Sequence, residues 1–338
     1  MLKKDLGLFL LILLVGATVA VINPRFVSPL NLANTANLIG LYGLFSIGEG
    51  FVIITGGIDL SIGSVLALLG VLFIQLLNGY GLNWVAASAI IVACGIGLGL
   101  VHGFLITRVR LQPFVVTLCG LLIYRGVARY YTDDGTAGFD FGTSFPTLEW
   151  ITSGRVFGLP NSFVAFVILA VIMAVVLHRS VFGRYLFAVG KNEEAARYSG
   201  VNTRSVTVAA YVICSGLAGL SSIYFAMYTR SISPASHGTF YELYGIAAAV
   251  LGGCSLRGGE GSILGIALGA VLLQVLQNLV NLLGIPSSLN FAVMGTVILL
   301  GVIADGELQR LRRTRLAKRG GPAAAAVATP EPQLGHEG

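Results

Sequence analysis

Charged residues are scarce in this chain: Asp, Glu, Lys and Arg make up 11% of 338 residues, against 55% hydrophobic. With a mean hydropathy of +0.85, this composition excludes a soluble domain, which would need a far more charged surface at this length. Cysteine and histidine are also sparse and scattered. Cys94, Cys119, Cys214 and Cys254 show neither CxxC nor Cys/His spacing, which argues against a zinc site or a disulfide framework and reads them as small buried hydrophobes. His102, His178, His237 and His336 lie far apart, so the sequence supplies neither a metal cluster nor a nucleophile with its base. No catalytic and no metal-ligating residue is assigned. A phosphate-binding loop is missing too: Gly190-Lys191 invites the comparison, but Tyr185 and Asn192 stand where that motif needs Gly and Ser or Thr.

The apolar residues fall into blocks near 6–22, 36–55, 62–78, 85–106, 112–130, 161–178, 206–228, 240–256, 261–283 and 288–304. Most have the length that crosses the hydrocarbon core as a helix, so the expected fold is an all-α polytopic membrane protein with about ten transmembrane helices. The block at 240–256 has a re-entrant alternative, since it starts with Glu242 and ends in glycines. The N-terminal run continues to Ile22 without a small-residue cleavage site before Pro24, which reads as a retained first span. Basic residues fix the orientation. With the N-terminus inside, Lys3, Lys4, Arg108, Arg110, Arg179, Arg184, Lys191, Arg197, Arg204, Arg257 and the basic segment from Arg310 fall on the cytoplasmic side, and only Arg25, Arg155 and Arg230 fall clearly outside. Both termini are then cytoplasmic. The net charge of +6 is a topology signal, dispersed over short loops with no aromatic interleaving, and nucleic acid is not an expected partner.

The expected organisation is a transmembrane domain over 1–306, with an outer loop at 131–160 and an inner loop at 179–205, followed by a cytoplasmic tail over 307–338. The tail starts basic, suited to anionic lipid, and becomes disordered in composition after about residue 320. Glycine is abundant, with 45 residues. Gly95, Gly99 and Gly103 share one helix face, which points to close helix packing within the bundle or at a dimer face.

In the inner loop, Asn192 is a fitting N-cap, Glu193 and Glu194 suit the first turn, Ala195 and Ala196 follow, and Gly200 is placed to stop the helix. These signals leave a plain connector open as the alternative. Glu49 and Asp59 are acidic residues within or beside apolar runs, hence candidates for a transport path. Asp59 with Ser61 could equally cap the helix that follows. Glu49 is placed deeper than Asp59, and Glu242 near the outer surface, each within reach of Arg125 or Arg129. On the ninth block Gln274, Asn278 and Asn281 share a face, to contact a passing polyol or to bind neighbouring helices. A gradient-driven carrier with Glu49, Asp59 and Glu242 as relay is the competing class.

Three motifs in order, Gly56-Gly57-Ile58-Asp59-Leu60-Ser61-Ile62-Gly63-Ser64, Gly190-Lys191-Asn192-Glu193-Glu194-Ala195-Ala196-Arg197-Tyr198-Ser199-Gly200-Val201, and Gly252-Gly253 through Gly258-Gly259-Glu260-Gly261-Ser262, resemble the membrane-spanning permease subunit of bacterial ABC importers of the ribose/xylose/galactose branch. The resemblance implies a multi-pass protein of the bacterial inner membrane that carries a monosaccharide delivered by a binding protein. It implies a second permease copy or a paralogue, and cytoplasmic ATPase subunits that bind the ATP and Mg while this chain holds no cofactor and is no enzyme. Gly190, Asn192, Glu193, Glu194, Ala195, Ala196 and Gly200 then correspond to the helix that couples to the ATPase. The first and third motifs also echo each other weakly, as related halves of a transporter do.

Overall fold

The computed structural model describes residues 2–286 and scattered positions from 289 to 299. Twelve helices are described: α1 (Leu2–Ile22), α2 (Pro29–Ile54), α3 (Ile62–Asn78), α4 (Trp84–Thr107), α5 (Pro113–Tyr131), α6 (Pro146–Ser153), α7 (Asn161–Arg179), α8 (Val181–Lys191), α9 (Glu193–Tyr198), α10 (Thr203–Thr229), α11 (Tyr241–Leu251) and α12 (Ile263–Leu282). Among the described residues six, α1, α2, α4, α7, α10 and α12, are long and apolar enough to cross a membrane. Of the ten expected spans, six meet this measure among the described residues. α3 and α11 are shorter apolar helices, and α5 carries Arg125 and Arg129 in its second half. Most of the tenth block, the tail and the side on which the C-terminus lies fall outside the described residues.

α2 is the central helix, packed against α7, α10, α11 and α12 and buried from Ile39 through Ile54 except at the half-buried Tyr42. It begins at Pro29, seven residues before the apolar block, because Ser28 Oγ accepts from Asn31 N at 3.3 Å and proline suits the first helical position. The polar residues of its first turns are not left bare: Asn31 and Asn278 of α12 exchange side-chain hydrogen bonds at 3.1 and 2.9 Å, and Asn37 accepts from Ser162 of α7. α1 lies on the outside against α12, with Leu6, Leu10, Leu13 and Leu14 exposed.

The glycine face of α4 is used within the chain. A Cβ on Gly99 would stand 2.5 Å from the Tyr211 carbonyl of α10, and one on Gly95 would stand 2.5 Å from that of Ser215. Small residues let two backbones come this close in lipid, where no hydrophobic difference drives helices together.

α11, at 11 residues, is about 16 Å long, half a membrane. From the end of α10 the chain forms a two-residue antiparallel ladder, Ser231–Ile232 with Ala137–Gly138. It then passes through residues 233–240 to the first turn of α3, where a Cβ on Gly63 would strike the Gly238 carbonyl and stand 2.6 Å from Glu242 Oε2. Only there does α11 start. Glu242 therefore sits at the beginning of α3, not at the outer surface where the sequence placed it, because the preceding segment descends into the bundle before turning helical.

Candidate functional site

Two polar features stand out, and both are built on the turn between α2 and α3. The first lies at the end of the bundle that carries α8 and α9. Ser180 Oγ accepts from Gly183 N at 3.1 Å and starts α8. At the other end of α8, Asn192 N donates to the Ala188 carbonyl at 3.1 Å, while Asn192 Oδ1 accepts from Ala195 N at 2.9 Å and starts α9. One residue thus ends one helix and caps the next. α9 closes with Gly200 at φ +85°, where Gly200 N bonds the Arg197 carbonyl at 3.0 Å and Val201 N the Ala196 carbonyl at 3.1 Å. This double bond pattern is the Schellman stop, which needs a residue at ease in the left-handed region.

α9 is held but not covered. Glu193 Oε1 accepts from the Thr203 hydroxyl at 3.1 Å, tying it to α10. Ala196 is its buried residue, and Tyr198 is 83% exposed, so the rest of this six-residue helix is presented outward. Beside it, between Gly56 and Gly57 of the α2–α3 turn, Arg110 of the α4–α5 turn and Glu194 of α9, opens a cleft of ≈ 540 Å³ whose lining includes Tyr211 of α10. The Tyr211 hydroxyl is buried there without a hydrogen-bond partner among the described residues.

The three motifs singled out in the sequence meet under α8. Gly259 N donates to the Ile54 carbonyl at 2.9 Å, which joins the end of α2 to the glycine loop before α12. Gly190 lies over that bond: a Cβ there would overlap the Ile54 carbonyl and stand 2.5 Å from Gly259 N. A Cβ on Gly258 would in turn stand 2.8 Å from both the Gly190 carbonyl and Gly56 N. Lys191 and Glu260 form an ion pair at 3.2 Å across the same contact, with both side chains more than half exposed. Three backbones therefore touch with no side chain between them.

The second feature is a buried polar cluster one step further in. The turn after Thr55 folds back into the bundle, so that Asp59 N donates to Glu49 Oε1 at 3.2 Å and the two acidic residues are neighbours. Asp59 Oδ1 accepts from Ser61 N at 2.8 Å and from Ser61 Oγ at 2.6 Å. Ser61 is the N-cap of α3 but makes no side-chain cap bond. Asp59 thus takes up the Ser61 N–H at the entry to the helix, while the Ser61 hydroxyl turns to Asp59 and not to the helix backbone. Asp59 Oδ2 lies 3.7 Å from His102 Nδ1 of α4, and His102 Nε2 is 2.8 Å from the Tyr124 hydroxyl of α5. Cys214 of α10 donates to Glu49 Oε2 at 3.9 Å. Glu49, Asp59, Ser61 and His102 are all essentially inaccessible. Arg125 does not pair with a carboxylate here; it donates to the Pro234 and His237 carbonyls at 2.6 and 2.5 Å. Arg129 pairs instead with Asp134 at 2.5 Å.

Sequence reasoning did not find His102, Tyr124 or Cys214. One signal was available: His102 adjoins Gly103 on a helix whose small residues face inward.

On α12, Gln274 is buried and its Nε2 has no partner among the described residues, while Asn281 is exposed. Asn278 is engaged with Asn31. Replacing Asn278 or Asn31 by Ala is expected to cost about 1 kcal/mol each, and the double variant no more than the Asn31 variant, which also loses the bond to the Phe26 carbonyl at 2.9 Å, read as thermal stability in detergent. Additive losses would mean that the two amides act separately.

The chain matches the family model described as "Branched-chain amino acid transport system / permease component" over residues 31–302. It is 36% identical over 308 residues to the ribose import permease protein RbsC of Escherichia coli K12, covering 91% of this chain and 95% of that one. It is 39% identical over 300 residues to RbsC of Bacillus subtilis 168, covering 89% and 91%. The fructose import permease protein FruF of Bifidobacterium longum is 32% identical over 259 residues, covering 77% and 72%. No solved structure matches. The family model carries an amino-acid label, whereas these relatives are named for sugars. The chain is a multi-pass membrane protein belonging to this permease family and, within it, to the sugar permeases of ABC importers of the ribose branch.

Proposed function

We propose that this chain forms the translocation path for a monosaccharide of the ribose, xylose or galactose kind, delivered from outside by a binding protein, in an importer driven by a separate ATPase. The observation that carries this reading is the outward-facing α9, capped at both ends and seated through Gly190 on the backbones of the α2 end and the glycine loop before α12. A short rigid helix on such a seat transmits a push from a partner into the bundle without yielding. The α8–α9 end then faces the cytoplasm, and ATP and Mg belong to the partner that grips α9 through Glu193, Glu194 and its alanines. The energised unit holds two permeases, a pair of copies or this chain with a paralogue.

For the sugar path we assign the α12 face, with Gln274 as the amide left free for a passing hydroxyl and Asn281 at its end. Glu49, Asp59 and Ser61, which set the α2–α3 turn, are assigned to the same path. A permease served by a binding protein needs only weak contacts, since selectivity is exercised upstream.

The test is sugar uptake and ATP hydrolysis in the assembled transporter with Glu194→Ala and Gly200→Val. Uptake is expected to fall at least about tenfold in each, with hydrolysis no longer stimulated by loaded binding protein and membrane levels unchanged. Wild-type uptake in both variants would overturn the coupling assignment.

A further inference from the structure

On the other side of Arg204 from the cleft beside α9 runs a groove of ≈ 700 Å³ between α4 and α10. The two helices touch along the glycine face up to Gly103 and then part, because Thr107 and Arg108 end α4 while Asn202 and Thr203 begin α10. The walls of the opening are Leu100 and Phe104 on one side and Val208 and Val212 on the other. Leu100 is 50% and Phe104 56% exposed, on a helix apolar enough to cross the membrane, so this wall faces acyl chains.

The end of the groove is different. Arg108 and Arg204 both line it, together with Ser205, and no acidic residue does. Neither arginine is in an ion pair among the described residues. The first turn of α10, capped by Asn202 on Ser205 N at 3.2 Å, adds the positive end of a 27-residue helix. An apolar trough that ends in two unpaired guanidiniums and a hydroxyl at the membrane boundary complements a lipid with an anionic phosphate, and basic pockets between spans hold such headgroups.

We propose that this groove is a binding site for one anionic phospholipid, its phosphate between Arg108 and Arg204 and an acyl chain along Leu100, Phe104, Val208 and Val212. Arg204 follows Thr203, whose hydroxyl holds Glu193 of α9, so the bound headgroup stands one residue from the tie between α9 and α10.

The test uses the full chain in detergent, with phosphatidylglycerol and phosphatidylcholine as probes and retained lipid read by native mass spectrometry. The wild type is expected to retain phosphatidylglycerol preferentially. Arg108→Gln with Arg204→Gln is expected to weaken that retention roughly thirtyfold, as two guanidiniums beside one phosphate imply. Arg110→Gln, in the same turn but lining the cleft instead of the groove, should leave it unchanged. Ala209→Trp keeps both arginines and fills the trough, so it should lose the lipid too and covers the case in which the double variant does not fold. Equal retention of the two lipids by the wild type, or phosphatidylglycerol retention that survives both the double variant and Ala209→Trp, overturns the proposal. Displacement of the lipid by excess glycerol phosphate also overturns it, by showing a site for a free phosphate anion.

Discussion

Gly190→Ala is expected to cut coupled uptake at least about tenfold, the consequence of forcing an extra methyl into a contact with no room for it. The added Cβ would overlap the Ile54 carbonyl and stand 2.5 Å from Gly259 N. Both neighbours are backbone, so no rotamer change makes space and α8 must lift from its seat or the Gly259–Ile54 hydrogen bond must open. α9 follows α8 rigidly, since Asn192 serves both helices. Lys191→Ala removes the ion pair with Glu260 at the same contact, but that pair is largely exposed and worth little, so uptake should stay within about twofold of wild type. The comparison separates shape from charge at one place. It is read as uptake normalised to the protein in the membrane, and equal activity of Gly190→Ala and wild type would show that the three-backbone contact transmits nothing.

Asp59→Ala is expected to destabilise the chain by about 3 kcal/mol, because it removes a buried acceptor and leaves the Ser61 N–H and hydroxyl without their partner. It also strips His102 Nδ1 of the oxygen 3.7 Å away. Asp59→Asn keeps an acceptor in the Oδ1 position for both Ser61 donors and offers an N–H to His102 Nδ1 when that nitrogen is the unprotonated one. It should cost less than about 1 kcal/mol. Thermal unfolding in detergent ranks the two variants, and uptake adds the decisive contrast. A stable Asp59→Asn protein that transports normally assigns Asp59 to holding the turn. A stable one that does not transport assigns its charge to the path itself.

What the sequence made legible follows from where the information is local. The extent of α3, 62–78, is legible residue for residue, since glycine and serine before an apolar run mark its start. The cap and stop of α9 are equally plain, because Asn192, Glu193, Glu194 and Gly200 act within nine consecutive residues. The start of α2 is legible only from residue 36, seven residues short: Asn31 and Asn34 break the apolar pattern before it, and Asn31 finds partners both at Phe26 and on α12 far along the chain. α8 lies between two strong signals and its buried residues, Gly183, Leu186 and Val189, form too short a stripe to announce a helix of 11 residues. The depth of Glu242 was misread for a related reason, as nothing local shows that residues 233–240 run inward to Gly63. The polar cluster was the least legible feature. His102, Tyr124 and Cys214 each look isolated in sequence and are gathered by the close packing of α4 against α10 and by the return of the α2–α3 turn into the bundle.

The resemblance between the first and third motifs, weak as a repeat, acquires a physical meaning in the structure. Both are glycine turns, and they lie against each other, with Gly56 and Gly258 in backbone contact. A contact between two turns needs the same lack of side chains on both sides, whatever their ancestry.

The measurement that bears most directly on the central claim is uptake of labelled pentoses and hexoses by cells carrying this chain, its binding protein and its candidate ATPase, the last either intact or disabled in its phosphate-binding loop. An ATP-driven sugar importer predicts that uptake of one sugar or a small set disappears when the ATPase is disabled and withstands an ionophore. Uptake that persists without the ATPase and collapses with the ionophore would contradict it, and would make Glu49, Asp59 and Glu242 the relay of a gradient-driven carrier.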